Sequence, residues 1–280
     1  MKVVLIEPRG FCRGVRQALQ LLDNTLQKSS PVYVLNEIVH NKTIIDVYQK
    51  KGVIFAQSIQ EAPAGSHIVF SAHGVAPEIV RQAKERRLKI IDATCPLVKK
   101  VHQEAAAFTQ KNIPIIYIGH KKHEEVRGVY GEAPHNITIV ENLKDVSRLP
   151  RARAQYAVLT QTTLNIRDTQ EIIAELKKHF QIIEPRQKDI CYATAARQEA
   201  VQKAAPQVEA VIIIGSRNSS NSIRLKEIAE AAGARAYLAD SCQELPPEIK
   251  KYQSIGLTSG ASAPEYLVQE CLTYLHSLSK

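Results

Sequence analysis

Three cysteines of this 280-residue chain are the side chains best suited to chemistry. Cys12, Cys95 and Cys191 each follow a short apolar run and precede a helical pattern. Their neighbours are mostly turn and capping residues, whereas structural cysteines usually have apolar neighbours. Cysteines so far apart in sequence are either three unrelated core residues or the parts of one site built from three segments. The polar loops favour the second interpretation.

Three thiolates that meet at one point could bind either of two metal groups. Structural zinc sites normally have four ligands and contain pairs of cysteines two to four residues apart, and the chain has no such pair. A histidine could still complete a zinc site. An iron–sulfur cluster accepts scattered ligands, and three cysteines leave one iron of a four-iron cluster open to a substrate. Spacing alone leaves both possibilities open.

Three histidines could bind an anion. His40, His73 and His123 each follow a strand or a short apolar run and adjoin glycine, asparagine or charged residues. A single loop histidine is most often a surface residue, but three at similar positions could donate hydrogen bonds to a phosphate. Glu124 and Glu125 follow directly. Adjacent glutamates usually mark the exposed start of a helix, although in a cationic pocket one of them could donate a proton.

Hydroxyl and amide side chains form a third group. They lie in the segments 160–163, 219–221 and 259–265. Local helix capping explains some of them. Ser219 through Ser222 could start the helix that follows, and Ser262 and Glu265 have the spacing of a capping box with Pro264 in the first turn. A helix start with free N–H groups is also an anion site. The chain has no Walker motif and no dinucleotide fingerprint, so we expect a phosphorylated ligand held without a glycine-rich loop.

The elements that position these residues follow an α/β pattern, since β-branched runs alternate with amphipathic segments from end to end. Helical spacing predicts helices over 97–108, with Pro96 in the first turn, over 168–180, and over 222–232, ending at Gly233. The predicted strands are 2–6, 32–35, 67–71, 88–92, 113–118, 156–160, 210–215 and 254–258.

Similar strand–loop–helix segments recur three times, beginning near residues 67, 113 and 211. We therefore predict three similar small α/β units with mostly parallel sheets. Ligands of such sheets bind beyond the carboxyl ends of the strands. The predicted units are residues 13–95, 96–191 and 192–280, the last completed by the N-terminal strand in 1–12.

Composition limits the classes of function. The formal net charge of +9 will attract anions, but the chain has no tryptophan and only 5% aromatic residues, whereas nucleic-acid binders often use stacking aromatics. Small anions are therefore favoured over nucleic acid. We expect a cytoplasmic protein with no membrane span, because no apolar run approaches 18 residues. Five cysteines in a reducing compartment argue against a disulfide framework.

Taken together, the motifs resemble those of the 4-hydroxy-3-methylbut-2-enyl diphosphate reductases, which catalyse the last step of the methylerythritol phosphate route of isoprene biosynthesis. The resemblance covers essentially the whole chain. It rests on Pro8-Arg-Gly-Phe-Cys12, Ser71-Ala-His-Gly74, Asp92-Ala-Thr-Cys-Pro96, Thr160-Gln-Thr-Thr163, Asp189-Ile-Cys-Tyr-Ala-Thr194, Gly215-Ser-Arg-Asn-Ser-Ser-Asn221 and Gly260-Ala-Ser-Ala-Pro264.

The resemblance implies a cofactor and a set of site residues. It implies that Cys12, Cys95 and Cys191 hold a [4Fe–4S] cluster with one open iron, at the centre of a three-lobed α/β trefoil. Glu125 matches the family's proton-delivering glutamate. The matching substrate-binding positions are His40, His73, His123, Thr162, Ser219, Ser220, Asn221 and Ser262. The residue before that glutamate is commonly proline in the family but is Glu124 here.

The implied reaction is a two-electron, two-proton reduction of (E)-4-hydroxy-3-methylbut-2-enyl diphosphate. The allylic hydroxyl leaves as water, and isopentenyl and dimethylallyl diphosphate form. With no flavin or nicotinamide motif in the chain, the electrons are expected from an acidic ferredoxin or flavodoxin. The alternative from another class is a zinc-stabilised RNA-binding protein, which would contain no iron and would bind RNA in a salt-sensitive way.

Overall fold

The computed structural model of the chain describes residues 1–150, 155–185 and 187–278. In chain order, the strands are β1 (Lys2–Leu5), β2 (Val32–Leu35), β3 (Val53–Ala56), β4 (His67–Phe70), β5 (Lys89–Asp92), β6 (Ile115–Ile118), β7 (Ile137–Val140), β8 (Gln155–Thr160), β9 (Gln181–Ile183), β10 (Ala210–Ile214), β11 (Arg235–Ala239) and β12 (Ser254–Ser259).

The helices account for most of the remaining regular structure. They are α1 (Arg13–Leu26), α2 (Lys42–Lys50), α3 (Pro77–Glu85), α4 (Pro96–Gln110), α5 (Glu124–Tyr130), α6 (Leu143–Val146), α7 (Ile166–His179), α8 (Tyr192–Ala204), α9 (Ser220–Ala231) and α10 (Glu265–Ser277). Among the residues described, no helix is both long enough and apolar enough to cross a membrane.

The strands form three sheets of four parallel strands each. Their orders are β3-β2-β4-β5, β7-β6-β8-β9 and β11-β10-β12-β1. The inner strands are almost fully buried because helices cover parallel sheets, whereas the outer strands are partly exposed. The predicted fold of three similar α/β lobes is confirmed. The predicted boundaries at residues 13, 96 and 192 stay a prediction.

Residue contacts divide the chain into two compact units. Unit 1 comprises Met1–Arg16, Val39–Lys50 and Tyr192–Lys280, and unit 2 comprises Gln17–Ile38 and Lys51–Cys191. Unit 1 therefore contains the sheet that joins β1 to β10, β11 and β12. Unit 2 contains the other two sheets.

The core of unit 1 lies on both faces of its sheet. Ile212 and Ile214 of β10 pack with the apolar side of α10, where Cys271 is completely buried and belongs to the core. Val211 and Ile213 point to the other face and pack with α8 and α9. This alternation follows from the two-residue period of a strand. Burial of both faces fixes the register in which β10 presents the loop that follows it.

Unit 2 uses the same arrangement for its second sheet. Ile116 and Ile118 pack against α7, while Ile115 and Tyr117 pack against α4 and α5. Helix α4 begins where the sequence predicts, with Cys95 as the N-cap and Pro96 in the first turn, where a missing N–H costs nothing. The first sheet packs on α3 through a cluster that includes Ile68 and Phe70.

Candidate active site

Each of the three cysteines that could bind a metal is held by the same backbone hydrogen bond. Its amide donates to the carbonyl of the second residue after an inner strand. These bonds, each 3.0 Å long, join Cys12 to Ala261, Cys95 to Ala72 and Cys191 to Thr162. The repeat predicted from sequence therefore extends to the main chain around each thiol. Whether the three thiols meet at one point stays a prediction.

The cysteines also share the start of a helix. Residues Arg13, Pro96 and Tyr192, each directly after a cysteine, begin α1, α4 and α8. All three thiols are partly exposed, and no disulfide occurs among the described residues. The amide of Val15 donates to Cys12 Sγ at 3.5 Å. Helix-start N–H groups favour thiolates, so the donor set fits a thiolate-bound metal group.

A buried carboxylate lies in unit 2. Glu125, in the first turn of α5, is only 1% exposed. Its Oε1 accepts a hydrogen bond from the Thr162 amide at 2.7 Å, and its Oε2 accepts one from the Thr162 hydroxyl at 3.0 Å. The Tyr117 hydroxyl lies 3.4 Å from Oε1. These contacts hold both carboxylate oxygens in place. The donors come from two neighbouring strands, because Tyr117 belongs to β6 and Thr162 follows β8.

The protonation of Glu125 depends on two opposing effects. Burial raises its pKa to about 7, against the lowering effect of the two hydrogen bonds from Thr162. The negative charge of Asp189 also raises this pKa. Burial and the nearby Glu125 raise the pKa of Tyr117 well above its ordinary value, so the phenol stays neutral. Glu125 is therefore partly protonated near neutral pH, as a general acid must be.

Two histidines stand beside this carboxylate in unit 2. His123 is the N-cap of α5, and its Nδ1 accepts a hydrogen bond from the Glu125 amide at 3.2 Å. Its Nε2 therefore carries the proton when the ring is neutral and can donate to an anion. The Nδ1 of His73 lies 3.1 Å from Glu124 Oε2, and the rings of His73 and His123 are 5.7 Å apart, edge to face.

A buried ion pair supports the same region. The Asp189 side chain is fully buried, and its Oδ1 lies 2.7 Å from Lys100 Nζ. Its Oδ2 accepts a hydrogen bond from the Thr160 amide at 2.8 Å. Burial raises the pKa of Asp189 to about 6, although Lys100 lowers it. The pair connects α4, which follows Cys95, to the segment that carries Cys191.

The hydroxyl and amide residues of segment 219–221 lie in unit 1. Ser219 is the N-cap of α9 and accepts a hydrogen bond from the Ser222 amide, so the predicted helix start is confirmed. Ser220 and Asn221 occupy the buried first turn. Neither polar atom of the Asn221 side chain has a hydrogen-bond partner within the described part of the chain. Buried amides normally have partners, so this one has the character of a ligand-binding group.

The predicted capping box at Ser262 is wrong. Pro264 is the N-cap of α10, and no side chain caps that helix. Ser262 lies too far ahead of the first turn to cap it, and its hydroxyl instead donates to the carbonyl of His40 at 2.8 Å. Glu265 binds Arg9 Nε at 2.8 Å. Ser262 therefore anchors His40 within unit 1.

Several residues of the site were not predicted from the sequence. The Ser216 hydroxyl accepts a hydrogen bond from the Lys42 amide at 2.9 Å, directly beside Asn41. Ser216 and Asp189 lie in the motifs quoted above, which is the only signal for them. Tyr117 resembles an ordinary strand residue and Lys100 an ordinary helix residue. Their partners are distant in sequence, so no local pattern marks them.

Comparison with known proteins agrees with this architecture. The family model described as LytB protein matches residues 3–276. A protein of Ralstonia nicotianae named 4-hydroxy-3-methylbut-2-enyl diphosphate reductase is 46% identical over 99% of this chain and 87% of its own length. A protein of Rhodopirellula baltica with the same name is 47% identical over 98% of this chain and 88% of its own length.

Two solved structures are similar over nearly the full chain. The E-1-hydroxy-2-methyl-but-2-enyl-4-diphosphate reductase from Plasmodium falciparum matches with a TM-score of 0.93 at 38% identity, over 98% of this chain and 87% of that one. A structure described as (E)-4-hydroxy-3-methyl-but-2-enyl diphosphate reductase, the terminal enzyme of the non-mevalonate pathway, matches with a TM-score of 0.70 at 31% identity, over 99% of this chain and 100% of that one.

Proposed function

Since the chain belongs to the LytB protein family, we propose that it reduces (E)-4-hydroxy-3-methylbut-2-enyl diphosphate to isopentenyl and dimethylallyl diphosphate. The reaction consumes two electrons and two protons and releases the allylic hydroxyl as water. The observation that carries the proposal is the buried Glu125, whose carboxylate is held by both donors of Thr162 and whose pKa of about 7 suits a proton donor.

The cofactor belongs to the same proposal. Cys12, Cys95 and Cys191 would be the ligands of a [4Fe–4S] cluster with one open iron. Their shared backbone bond and helix-start position support this assignment, because both features keep the thiols in equivalent, thiolate-favouring surroundings. When bound, the cluster would supply the electrons and a Lewis-acidic iron for the substrate hydroxyl.

The substrate diphosphate would be bound by neutral and cationic donors. In unit 1 these are the hydroxyls of Ser219 and Ser220, the amide of Asn221, the ring of His40 and the hydroxyl of Ser262, which would turn its proton from the carbonyl of His40 to the anion. The start of α9 lies among them and adds free N–H groups and a favourable dipole for an anion. In unit 2 the donors are His73 and His123. The amide of Asn221, which has no partner among the residues described, supports this assignment most directly.

Glu125 would deliver the proton that converts the leaving hydroxyl into water. Thr162 holds both of its oxygens, so the acid cannot rotate away from the position in which it donates. The Thr162 hydroxyl would in turn orient the substrate hydroxyl. Burial keeps Glu125 protonated at a pH where an exposed glutamate is ionised.

The electron donor would be a small acidic ferredoxin or flavodoxin. The net charge of +9 supports such a partner, since complementary charge speeds association. A cytoplasmic location and the absence of a nucleic-acid ligand stay predictions of the sequence.

An anaerobic purification tests the proposed function. We expect a brown protein that contains iron and sulfide and that reduces the allylic alcohol diphosphate when a reduced viologen supplies electrons. A colourless preparation with stoichiometric zinc, no iron and salt-sensitive RNA affinity would contradict the proposal and support the zinc-stabilised alternative.

A further inference from the structure

Asn41 of unit 1 combines a helix cap with an unused donor. It precedes α2, and its Oδ1 accepts a hydrogen bond from the Ile44 amide at 3.0 Å. The residue is completely buried. No acceptor among the residues that the structure describes reaches its Nδ2. Buried side-chain donors in native proteins normally have an acceptor, so a buried Nδ2 of this kind needs an explanation.

The hydrogen bond that caps α2 identifies which terminal atom of the Asn41 side chain is the nitrogen. The Ile44 amide can only donate, so the side-chain atom that faces it must be the carbonyl oxygen. The other terminus of the Asn41 side chain is therefore an NH₂ group with two protons to donate. Leaving such a donor buried and unused costs free energy, and native proteins keep one where a water or a ligand supplies the acceptor.

The loops around Asn41 are those that carry the proposed diphosphate donors. On one side, the carbonyl of His40 is bound by the Ser262 hydroxyl at 2.8 Å. On the other side, the Lys42 amide donates to Ser216 Oγ at 2.9 Å. Ser262 follows β12 and Ser216 follows β10, so the two inner strands of this sheet hold the segment of Asn41 from both sides.

Asn221 resembles Asn41 in being a buried asparagine at a helix start whose side-chain NH₂ group has no acceptor among the residues described. It is 3% exposed, its amide atoms are unpartnered in the described part of the chain, and it lies in the first turn of a helix. A Cβ placed on Gly260 would stand 3.6 Å from Asn221 Nδ2, so Asn221 lies against the loop that contains Ser262. The segments of both buried asparagines therefore lie next to the loop that follows β12.

We propose that Asn41 donates a hydrogen bond from Nδ2 to an oxygen of the substrate diphosphate, as a partner of Asn221. The inference rests on the proposed function, which supplies the anion. The start of α2, like that of α9, adds a dipole that favours negative charge. Asn41 therefore has two roles at once: its oxygen fixes the start of α2 and its nitrogen binds the ligand.

Two substitutions separate these roles. N41D keeps the oxygen that caps α2 but replaces the donor with a second oxygen, which repels the diphosphate. N41S keeps a capping hydroxyl and adds no charge, but it removes the NH₂ group and leaves only an O–H on a shorter side chain that ends before the position of Nδ2. The matched control is N142D, because Asn142 caps α6 in the same way, through Lys144 at 2.9 Å, but is exposed.

The measurement is the affinity of each full-length holoenzyme for inorganic diphosphate, by titration calorimetry, together with kcat, KM and the midpoint of urea unfolding. We expect the dissociation constant and KM of N41S to rise about tenfold and those of N41D about a hundredfold, with N142D unchanged. Because Asn41 has no part in proton delivery, we expect the effect of N41S to appear in the dissociation constant and KM more than in kcat. If N41D fails to fold, the dissociation constant of N41S alone tests the inference.

Dissociation constants of N41S and N41D within about twofold of the wild type would overturn the inference, since Nδ2 would then serve a buried water. Equal losses in N142D would also overturn it, because the effect would not depend on position. In both cases a wild type that reduces its substrate leaves the proposed function standing. A wild type that neither binds diphosphate nor turns over would remove the proposed function and this inference with it.

Discussion

Thr162 donates two hydrogen bonds to the carboxylate of Glu125, one from its amide and one from its hydroxyl. The same residue accepts the amide proton of Cys191 with its carbonyl. One residue therefore fixes the proposed acid and one of the three proposed cluster ligands. Side-chain substitutions of Glu125 or Thr162 can therefore be chosen that leave the backbone hydrogen bond between Cys191 and Thr162 in place.

Replacement of Glu125 by glutamine tests the acid. The amide of E125Q has the same shape but cannot deliver an acidic proton, so we expect kcat to fall by about 10² to 10⁴ while KM changes little. Steady-state kinetics on enzyme of known iron content checks this. The control is E124Q, because Glu124 is adjacent but binds His73 instead of Thr162. Wild-type turnover in E125Q would remove the assigned role.

The two donors of Thr162 can be separated. T162V keeps the hydrogen bond from the Thr162 amide to Glu125 Oε1 but removes the hydroxyl that donates to Oε2. We therefore expect the free energy of unfolding to fall by about 1 to 3 kcal/mol. We also expect kcat to fall. T162S keeps the hydroxyl and is the matched control, with both quantities near those of the wild type. Urea unfolding and kinetics measure them, and equal behaviour of T162V and T162S would contradict the prediction.

The raised pKa of Glu125 links stability to pH. Its pKa is about 7 in the folded chain, against 4.5 for an ordinary glutamate, so the folded state binds more protons between these values. The stability from this group is complete below about pH 4.5 and is lost as the pH rises through about 7, on the order of 3 kcal/mol in total.

E125Q provides the measurement, because its amide does not titrate. We expect the unfolding free energy of the wild type, relative to that of E125Q, to fall between about pH 5 and about pH 8. Urea unfolding at a series of pH values gives both curves. Parallel curves would show that Glu125 does not titrate in this range.

The buried pair of Lys100 and Asp189 is expected to matter more than an exposed pair of the same type. K100M leaves the fully buried carboxylate of Asp189 without its cation, so we expect a loss of about 3 to 5 kcal/mol in unfolding free energy. The double variant K100M/D189N removes both charges and recovers part of this loss.

The control for this pair is K99M. Lys99 binds Asp92 at 2.6 Å, but both side chains are nearly half exposed, so its loss costs about 0 to 1 kcal/mol. Urea unfolding of the apoprotein measures all three variants. Similar losses in K99M and K100M would show that burial of the pair has no special effect.

Gly74 is expected to resist substitution for two separable reasons. Its φ of +76° strains any other residue, and a Cβ would stand 3.0 Å from His102 Nε2 and 3.1 Å from Thr94 Cγ2. Gly65 has a φ of +79° but nothing within 4 Å. Both G65A and G74A carry the backbone cost of about 1 kcal/mol, so the extra loss of G74A measures the crowding. Equal unfolding midpoints would contradict this.

The sequence predicted the inner strands better than the outer ones. The eight predicted strands are all present and include the inner pair of each sheet, because strands buried on both faces form continuous apolar runs. The strands that it missed, β3, β7, β9 and β11, are all edge strands. These edge strands are partly exposed, so their patterns resemble those of loops.

For the site, local patterns identified residues next to strand ends but not their partners. The start of α9 and the position of Cys95 follow from capping and proline rules, which act within one turn. The capping box at Ser262 failed because a distant carbonyl, that of His40, competes for the hydroxyl. Asn41 and Lys100 depend on contacts with segments far along the chain, which a single sequence does not record.

The bond between the Cys12 amide and the Ala261 carbonyl sets an order of events during protein synthesis. The strand β1, made first, pairs with β12, made last. Cys12 therefore acquires this neighbour only after about 250 further residues have been made, which is a long-range contact of the kind that forms late in folding. Any metal group that needs Cys12 in this position can therefore bind only after residue 261 has been made, and a chain truncated before β12 would lack this backbone bond.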